Sequence, residues 1–154
     1  MALTFDPRCK KLLQEEYARL KYFNGPLCSI VEGLSAYVSG LCKKDVMVTC
    51  ICRTQARNDE IYACMKEKAR PKPRKTAHSV YAAIDLRSRG LEKHIPAMLD
   101  WLNQYNSSNA NPTKSGRTAF FHEVNGHGPH FHVQYQLKTI KQKPLTKMHA
   151  KQVR

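Results

Sequence analysis

The sequence predicts an α+β fold: a small, mostly antiparallel sheet with helices packed on one face. Three observations predict it. Helical periodicity fills the first forty residues, short strand-like segments follow, and the last two of these segments flank a glycine-rich turn. The chain has 154 residues, of which 42% are hydrophobic, so it is long enough to bury one core. We therefore expect one domain over residues 1–137 and a basic tail over 138–154.

The predicted helices come from apolar residues at helical spacing. Gly25-Pro26 separates the first two helices, and Pro96 suits the first turn of the last one. Helices are expected over residues 8–22, 27–41, 55–68 and 91–105.

The predicted strands are short and rich in apolar residues. The run from Val46 to Cys52 suits a buried strand, and the turn Asn125–Pro129 suits a hairpin between the last two. Loops are expected over 70–76, which holds two prolines, and over 106–116. Strands are expected over residues 46–52, 79–86, 118–124 and 131–137.

The charge of the chain is strongly positive. Twenty-six Lys and Arg stand against twelve Asp and Glu, which gives a net charge of +14. Such a charge attracts polyanions, among them nucleic acid, teichoic acid, anionic lipid and lipopolysaccharide, and it does not choose among them.

The six cysteines form no CxxC pair, which argues against a zinc ribbon and a thioredoxin-like motif. They are expected to be structural thiols of a reduced compartment. The first residues contain no apolar leader segment, and no stretch of eighteen apolar residues occurs. We expect synthesis in the cytoplasm without a signal peptide, and no transmembrane segment.

Four of the seven histidines fall within residues 122–132. His130 and His132 are two residues apart, so on a strand both rings project from the same face. Imidazole is a favoured ligand of zinc, and a catalytic zinc typically has three protein ligands and an open position for water.

His78 and Asp85 bracket the predicted strand over 79–86. Asp85 follows Ala-Ala-Ile, where an unpaired carboxylate is costly, so it needs a cation. A metal ion is one candidate. The alternative is an ion pair with Arg87 or Arg53, with His78 as a surface residue, and the residues alone leave both open.

Residues 76–85 resemble the SxHxxGxAxD signature of the zinc D-Ala-D-Ala peptidase superfamily. His78, Ala83 and Asp85 match in register, Thr76 replaces the Ser, and Tyr81 stands in place of the Gly. The superfamily includes D,D-carboxypeptidases, D-Ala-D-Ala dipeptidases, phage L-Ala-D-Glu endolysins and the Hedgehog amino-terminal domain, which is not a peptidase.

Two further segments extend the resemblance to residues 45–136. Residues 128–134, which contain His130 and His132, resemble the HxH strand of the family, and Cys52-Arg53-Thr54 resembles the lead-in to its next helix. The resemblance implies a Hedgehog-like fold and one zinc ion bound by His78, Asp85 and His132. It also implies hydrolysis of peptidoglycan stem peptides, by an endopeptidase or a D,D-carboxypeptidase.

A peptidase of this kind also needs a general base and a group that stabilises the oxyanion. The resemblance places the base before the last histidine ligand, where residues 126–129 hold no carboxylate. We predict Glu123 as the base, brought opposite His130 or His132 by the hairpin, with His127 or His130 as substitutes. Arg53 is expected to bind the substrate or the oxyanion, or else to pair with Asp85 or Glu60.

The expected partners follow from the same resemblance. The basic tail suits anionic polymers of the cell envelope, and the protein is expected to be a monomer that acts on the wall after release, or as part of a virion. Two alternatives remain: a zinc-binding, wall-binding module without activity, and a nucleic-acid-binding protein or histidine-dependent nuclease. No established nucleic-acid motif favours the latter.

Overall fold

The computed structural model describes residues 3–54, 56, 76–107, 116–123 and 128–135. The predicted helix over 55–68, the loop over 70–76, the connection over 106–116 and the tail from 138 lie wholly or largely outside the described residues. His127 and Glu60 also lie outside them.

Three α-helices and five strands make up the described fold. The strands are β1 (Thr4–Phe5), β2 (Met47–Cys50), β3 (Ala83–Arg87), β4 (Ala119–Glu123) and β5 (Pro129–Gln134). The helices are α1 (Lys10–Phe23), α2 (Gly25–Cys42) and α3 (Ile95–Ser107), and 3-10 turns span Pro7–Cys9, His78–Val80 and Glu92–His94.

The first two helices begin and end within two residues of the predicted bounds, whereas α3 begins at Ile95, four residues after the predicted start, because Glu92–His94 form a 3-10 turn. Asn24 separates α1 from α2, and its side chain caps α2 by accepting a hydrogen bond from the backbone N–H of Leu27. Lys43 adopts a left-handed conformation and ends α2. None of the described helices is long and apolar enough to cross a bilayer.

The strands form one mixed sheet in the order β1-β2-β3-β5-β4. The pairing of β1 with β2 is parallel, and the other three pairings are antiparallel. The prediction of an α+β fold is confirmed. The hairpin is confirmed as the antiparallel pair β4–β5.

The two faces of the sheet differ in chemistry because side chains alternate along each strand. Ile84, Leu86, Phe131 and Val133 are fully buried and belong to the apolar core. The residues between them point the other way. This second face, called the polar face below, carries Asp85, Arg87, His130 and His132, with His122 from β4.

The predicted strand over 79–86 is wrong in its first half. His78–Val80 form a 3-10 turn, Tyr81 has a left-handed backbone with φ of 52°, and the strand begins at Ala83. Local hydrogen bonds stabilise the turn: the Ser79 hydroxyl donates to the carbonyl of Thr76, and the Ala82 N–H donates to that of Ala77. His78 therefore reaches the polar face from a turn.

Candidate metal centre

Three potential ligand atoms meet on the polar face. The Nε2 atom of His78 lies 3.1 Å from Oδ1 of Asp85 and 3.2 Å from Nδ1 of His132, and the last two atoms are 3.0 Å apart. Ligands of a tetrahedral zinc with bonds of about 2.0–2.2 Å are separated by about 3.3–3.6 Å. The triangle of donors is therefore close to the size that one zinc ion requires.

The register of the sheet produces this convergence. Asp85 of β3 lies directly opposite His132 of β5, so their side chains emerge next to each other on the polar face. His78 approaches from the 3-10 turn that precedes β3. His78 and Asp85 are buried, and His132 is half-buried.

Hydrogen bonds to the outer nitrogens fix the tautomers of both rings. The Nδ1–H of His78 donates to the carbonyl oxygen of Ile51 at 2.9 Å, and the Nε2–H of His132 donates to Oε1 of Gln134 at 3.2 Å. The nitrogens that face Asp85 then carry lone pairs. Two lone pairs and a carboxylate oxygen repel each other unless a cation lies among them, so these residues fit a metal ion.

A proton is the other cation that can satisfy this cluster. Burial disfavours a charged His78, but the adjacent Asp85 carboxylate outweighs it and raises the pKa of His78 to about 10. Burial likewise opposes ionisation of Asp85, but the neighbouring His78 and His132 hold the pKa of Asp85 well below its usual value. Metal and proton therefore compete for one position.

Arg53 forms an ion pair with the second carboxylate oxygen of Asp85. Its Nη2 atom lies 2.7 Å from Oδ2, and both side chains are largely buried. The expected ion pair of Asp85 with an arginine thus exists alongside the metal donors. Arg87 pairs instead with Asp6, at 2.8 Å.

Cys50 is a further donor beside this cluster. It lies across from Asp85 on β2, and Cys50, His78 and Asp85 form a group whose ligand atoms all lie within 4.8 Å of one another. This group can hold a metal ion. Its thiol approaches Nδ1 of His78, at 3.9 Å, the nitrogen already bonded to Ile51. The triangle that His132 forms with His78 and Asp85 is tighter, with its donor atoms 3.0–3.2 Å apart.

The position predicted for Glu123 is wrong. Glu123 lies opposite Pro129, at the exposed end of β4, and shares its face with Phe121 and Ala119. His122 stands opposite His130 instead, on the polar face. The cause is the strand alternation: a shift of one residue moves a side chain to the other face.

His130 and His122 continue the histidine cluster. The Nδ1–H of His130 donates to the carbonyl of Gly128 at 2.9 Å, while its Nε2 is buried, has no hydrogen-bond partner among the described residues, and lies 3.7 Å from Oδ2 of Asp85. Burial, with the nearby His130 and His132, lowers the pKa of His122. Strand alternation is the sequence signal that could have placed His122 on the same face as His130.

A groove of about 1060 Å³ runs beside the cluster. Asp85, His130 and Arg53 line it, together with Arg87 and Glu16 of α1. The Glu16 carboxylate accepts the Cys52 N–H at 3.4 Å, and burial raises the pKa of Glu16. The groove has the size of sites that hold small ligands, and acidic, basic and imidazole groups face it.

Comparison of the chain with protein-family models, with curated proteins and with solved structures finds no match. The assignment of a function therefore depends on the geometry of the polar face.

Proposed function

We propose that the protein is a zinc-dependent peptidase that hydrolyses peptides of the bacterial cell wall. The observation that carries the proposal is the triangle of donor atoms of His78, Asp85 and His132, of which Asp85 lines a groove. Three protein ligands are typical of catalytic zinc, whereas structural zinc usually has four. The resemblance of residues 76–85 and 128–134 to the zinc D-Ala-D-Ala peptidases supplies the substrate class.

In this proposal His78, Asp85 and His132 hold the zinc ion. A bound zinc polarises a carbonyl group and lowers the pKa of a water to about 7. The Ile51 carbonyl and the Gln134 side chain hold the two imidazoles in the tautomers that present lone pairs. Arg53 holds Asp85 in place through Oδ2 and lines the groove, where it offers positive charge to a carbonyl oxygen that becomes negative.

His130 is the best candidate for the general base. Its Nδ1–H is held by the Gly128 carbonyl, so its Nε2 carries a lone pair, and the residue lines the groove. Neutral imidazole accepts protons near neutral pH. Glu123, on the other face, does not share this position.

Paired variants of His130 test this role. In His130→Asn the amide nitrogen replaces Nδ1 and keeps the bond to Gly128, but nothing replaces Nε2. We expect it to retain one zinc ion and to lose about 100-fold or more in kcat, as is typical for loss of a general base. Glu123→Ala is the matched control and should stay within about twofold of wild type.

The measurement is metal analysis of the purified full chain together with mass spectrometry of digested peptidoglycan. Cleavage that EDTA abolishes and zinc restores supports the proposal, and the products identify the bond. Absence of bound zinc in the wild type would contradict the metal site. If Glu123→Ala loses activity and His130→Asn does not, the assignment of His130 as the general base is wrong.

A second candidate is a zinc-binding wall module without activity. The displacement of Glu123 from the polar face favours it, because the predicted carboxylate base is not at the metal donors. Bound zinc and retention on purified cell walls, with no cleavage by the wild type, would select this candidate.

A further inference from the structure

Two histidines face each other across the β4–β5 hairpin, outside the triangle of metal donors. His122 and His130 are direct partners in the antiparallel register, and their ring centroids are 4.8 Å apart at an interplanar angle of 67°. Directly opposed residues on one face have Cβ atoms about 4.5–5.5 Å apart. Two imidazoles at this separation can share one ion.

His130, the buried ring of the pair, has a nitrogen atom available to bind a metal ion. The Gly128 carbonyl takes the proton of Nδ1 in His130, so Nε2 carries a lone pair. Nε2 is buried and has no hydrogen-bond partner within the described part of the chain, which is an unfavourable arrangement for a polar group. His122 is exposed, so an ion can reach the pair from solvent.

Neighbouring charges limit how strongly this pair binds a cation. Oδ2 of Asp85 is 3.7 Å from Nε2 of His130, but Arg53 already occupies that oxygen at 2.7 Å. The carboxylate is therefore shared with a guanidinium, and the two imidazoles and water must supply the remaining ligands. Binding should be weaker than at the triangle of donors, which has three protein ligands.

We propose that His122 and His130 form a second, weaker site for zinc and other late first-row divalent cations. Imidazole suits zinc, copper and nickel, and poorly suits magnesium or calcium, so the site selects by ligand chemistry. The ion would be coordinated by Nε2 of His130.

The second site has a functional consequence that rests on the proposed peptidase activity. Because the same Nε2 atom is the proposed proton acceptor, an ion bound there removes the base. Excess zinc should therefore inhibit the enzyme, although the first equivalent activates it.

The test is equilibrium dialysis of the full chain against zinc, with bound metal measured by mass spectrometry. The wild type should bind a second ion more weakly than the first. His122→Ala should bind the first ion as before and weaken the second at least tenfold, since even loss of an outer-sphere partner costs about 10- to 100-fold. His94→Ala, a histidine of the 3-10 turn Glu92–His94, is the matched control and should bind both.

Two outcomes overturn the site: a wild type that binds one ion only, or a second ion that binds His122→Ala or His130→Asn with unchanged affinity. Zinc binding is measured without any enzymatic assay, so the dialysis still tests the second site if the protein proves not to be a peptidase. If the enzyme is active, His122→Ala should also lose the inhibition by excess zinc.

Discussion

The side chain of Gln134 decides which nitrogen of His132 faces Asp85. Its Oε1 accepts the Nε2–H of His132 at 3.2 Å, which leaves Nδ1 with the lone pair. Outer-sphere partners of this kind typically contribute about 10- to 100-fold to metal affinity. We predict that Gln134→Ala weakens zinc binding by about that factor in a competition titration with a chelator. Gln14→Ala, on the exposed side of α1, is the control, and equal affinities of the two variants would contradict the role.

Tyr81 occupies the position of the glycine in the SxHxxGxAxD signature, and its backbone conformation shows why glycine suits that position. The residue has φ of 52°, a left-handed conformation that costs a non-glycine residue about 1–2 kcal/mol. Its ring is buried and stacks on Phe23, with centroids 5.5 Å apart. The packing of the ring thus offsets the strain of the turn that carries His78.

Two variants of Tyr81 separate packing from strain. Tyr81→Ala removes the ring and keeps the strain, so we expect a loss of about 3–5 kcal/mol in the free energy of unfolding. Tyr81→Gly removes both and should be more stable than Tyr81→Ala by about 1 kcal/mol. Urea denaturation measures the difference. A glycine variant less stable than the alanine variant would show that the turn is not strained.

The residues of the proposed metal site were accessible from the sequence, whereas the position of Glu123 was not. His78 and Asp85 lie in one short segment with a recognisable pattern, and the two-residue spacing of His130 and His132 fixes their common face. The position of Glu123 depends on the register of a hairpin whose turn geometry the sequence does not determine. An error of one residue in that register exchanges Glu123 for His122.

At the scale of elements, Asn24 connects the helices to the site. Its Nδ2 donates to the carbonyls of Tyr81, at 2.9 Å, and Tyr135, at 2.8 Å, while its Oδ1 caps α2 through Leu27. One buried side chain therefore joins the start of α2, the turn before β3 and the end of β5.

Substitutions of Asn24 should be costly for this reason. Asn24→Ala removes the cap and leaves two carbonyls without their donor, a loss of about 2–4 kcal/mol. Asn24→Asp keeps the cap but turns an oxygen toward both carbonyls, so it should also destabilise the protein. Chemical denaturation of both variants checks this. An aspartate variant as stable as wild type would mean that the cap alone matters.

Asp6 joins the first 3-10 turn to β3. Its buried carboxylate accepts hydrogen bonds from Arg8 and from Nη2 of Arg87, at 2.8 Å. The hydrogen bond from Arg8 is the main reason that the pKa of Asp6 falls from 3.8 to about 2, against the effect of burial. A carboxyl group with a lowered pKa in the folded state stabilises the protein above its unfolded pKa, and this contribution disappears as pH falls through the folded value.

We therefore predict that stability declines between about pH 4 and pH 2 partly through Asp6. Asp6→Asn should be less stable than wild type at pH 6 and should lose less stability on acidification through this window. Thermal unfolding followed by circular dichroism at several pH values measures both effects. Glu15→Gln, on the exposed side of α1, is the control, and a parallel pH profile for Asp6→Asn and wild type would contradict the prediction.

For the molecule as a whole, three of the four predicted helices and the last two strands were found because their apolar periodicity is strong. The helix predicted over 55–68 lies almost wholly outside the described residues. β1 was missed because two residues, Thr4 and Phe5, carry no periodicity, and only the parallel pairing with β2 defines them. The 3-10 turn at His78 was missed because its apolar residues suit a strand equally well. Local hydrogen bonds and the stack on Phe23 decide its conformation.

The three proposed metal donors come from two distant parts of the chain, so binding should stabilise the whole fold. An ion that binds only the folded state adds about 2.7 kcal/mol at a free concentration one hundred times its dissociation constant. For a chain of this size that corresponds to a rise in Tm of about 5–10 °C. Differential scanning calorimetry with zinc and with EDTA should show this rise in the wild type and in His122→Ala. His78→Ala should not show it, because His78 connects the turn before β3 to both other donors. An equal rise in all three proteins would place the stabilising zinc elsewhere.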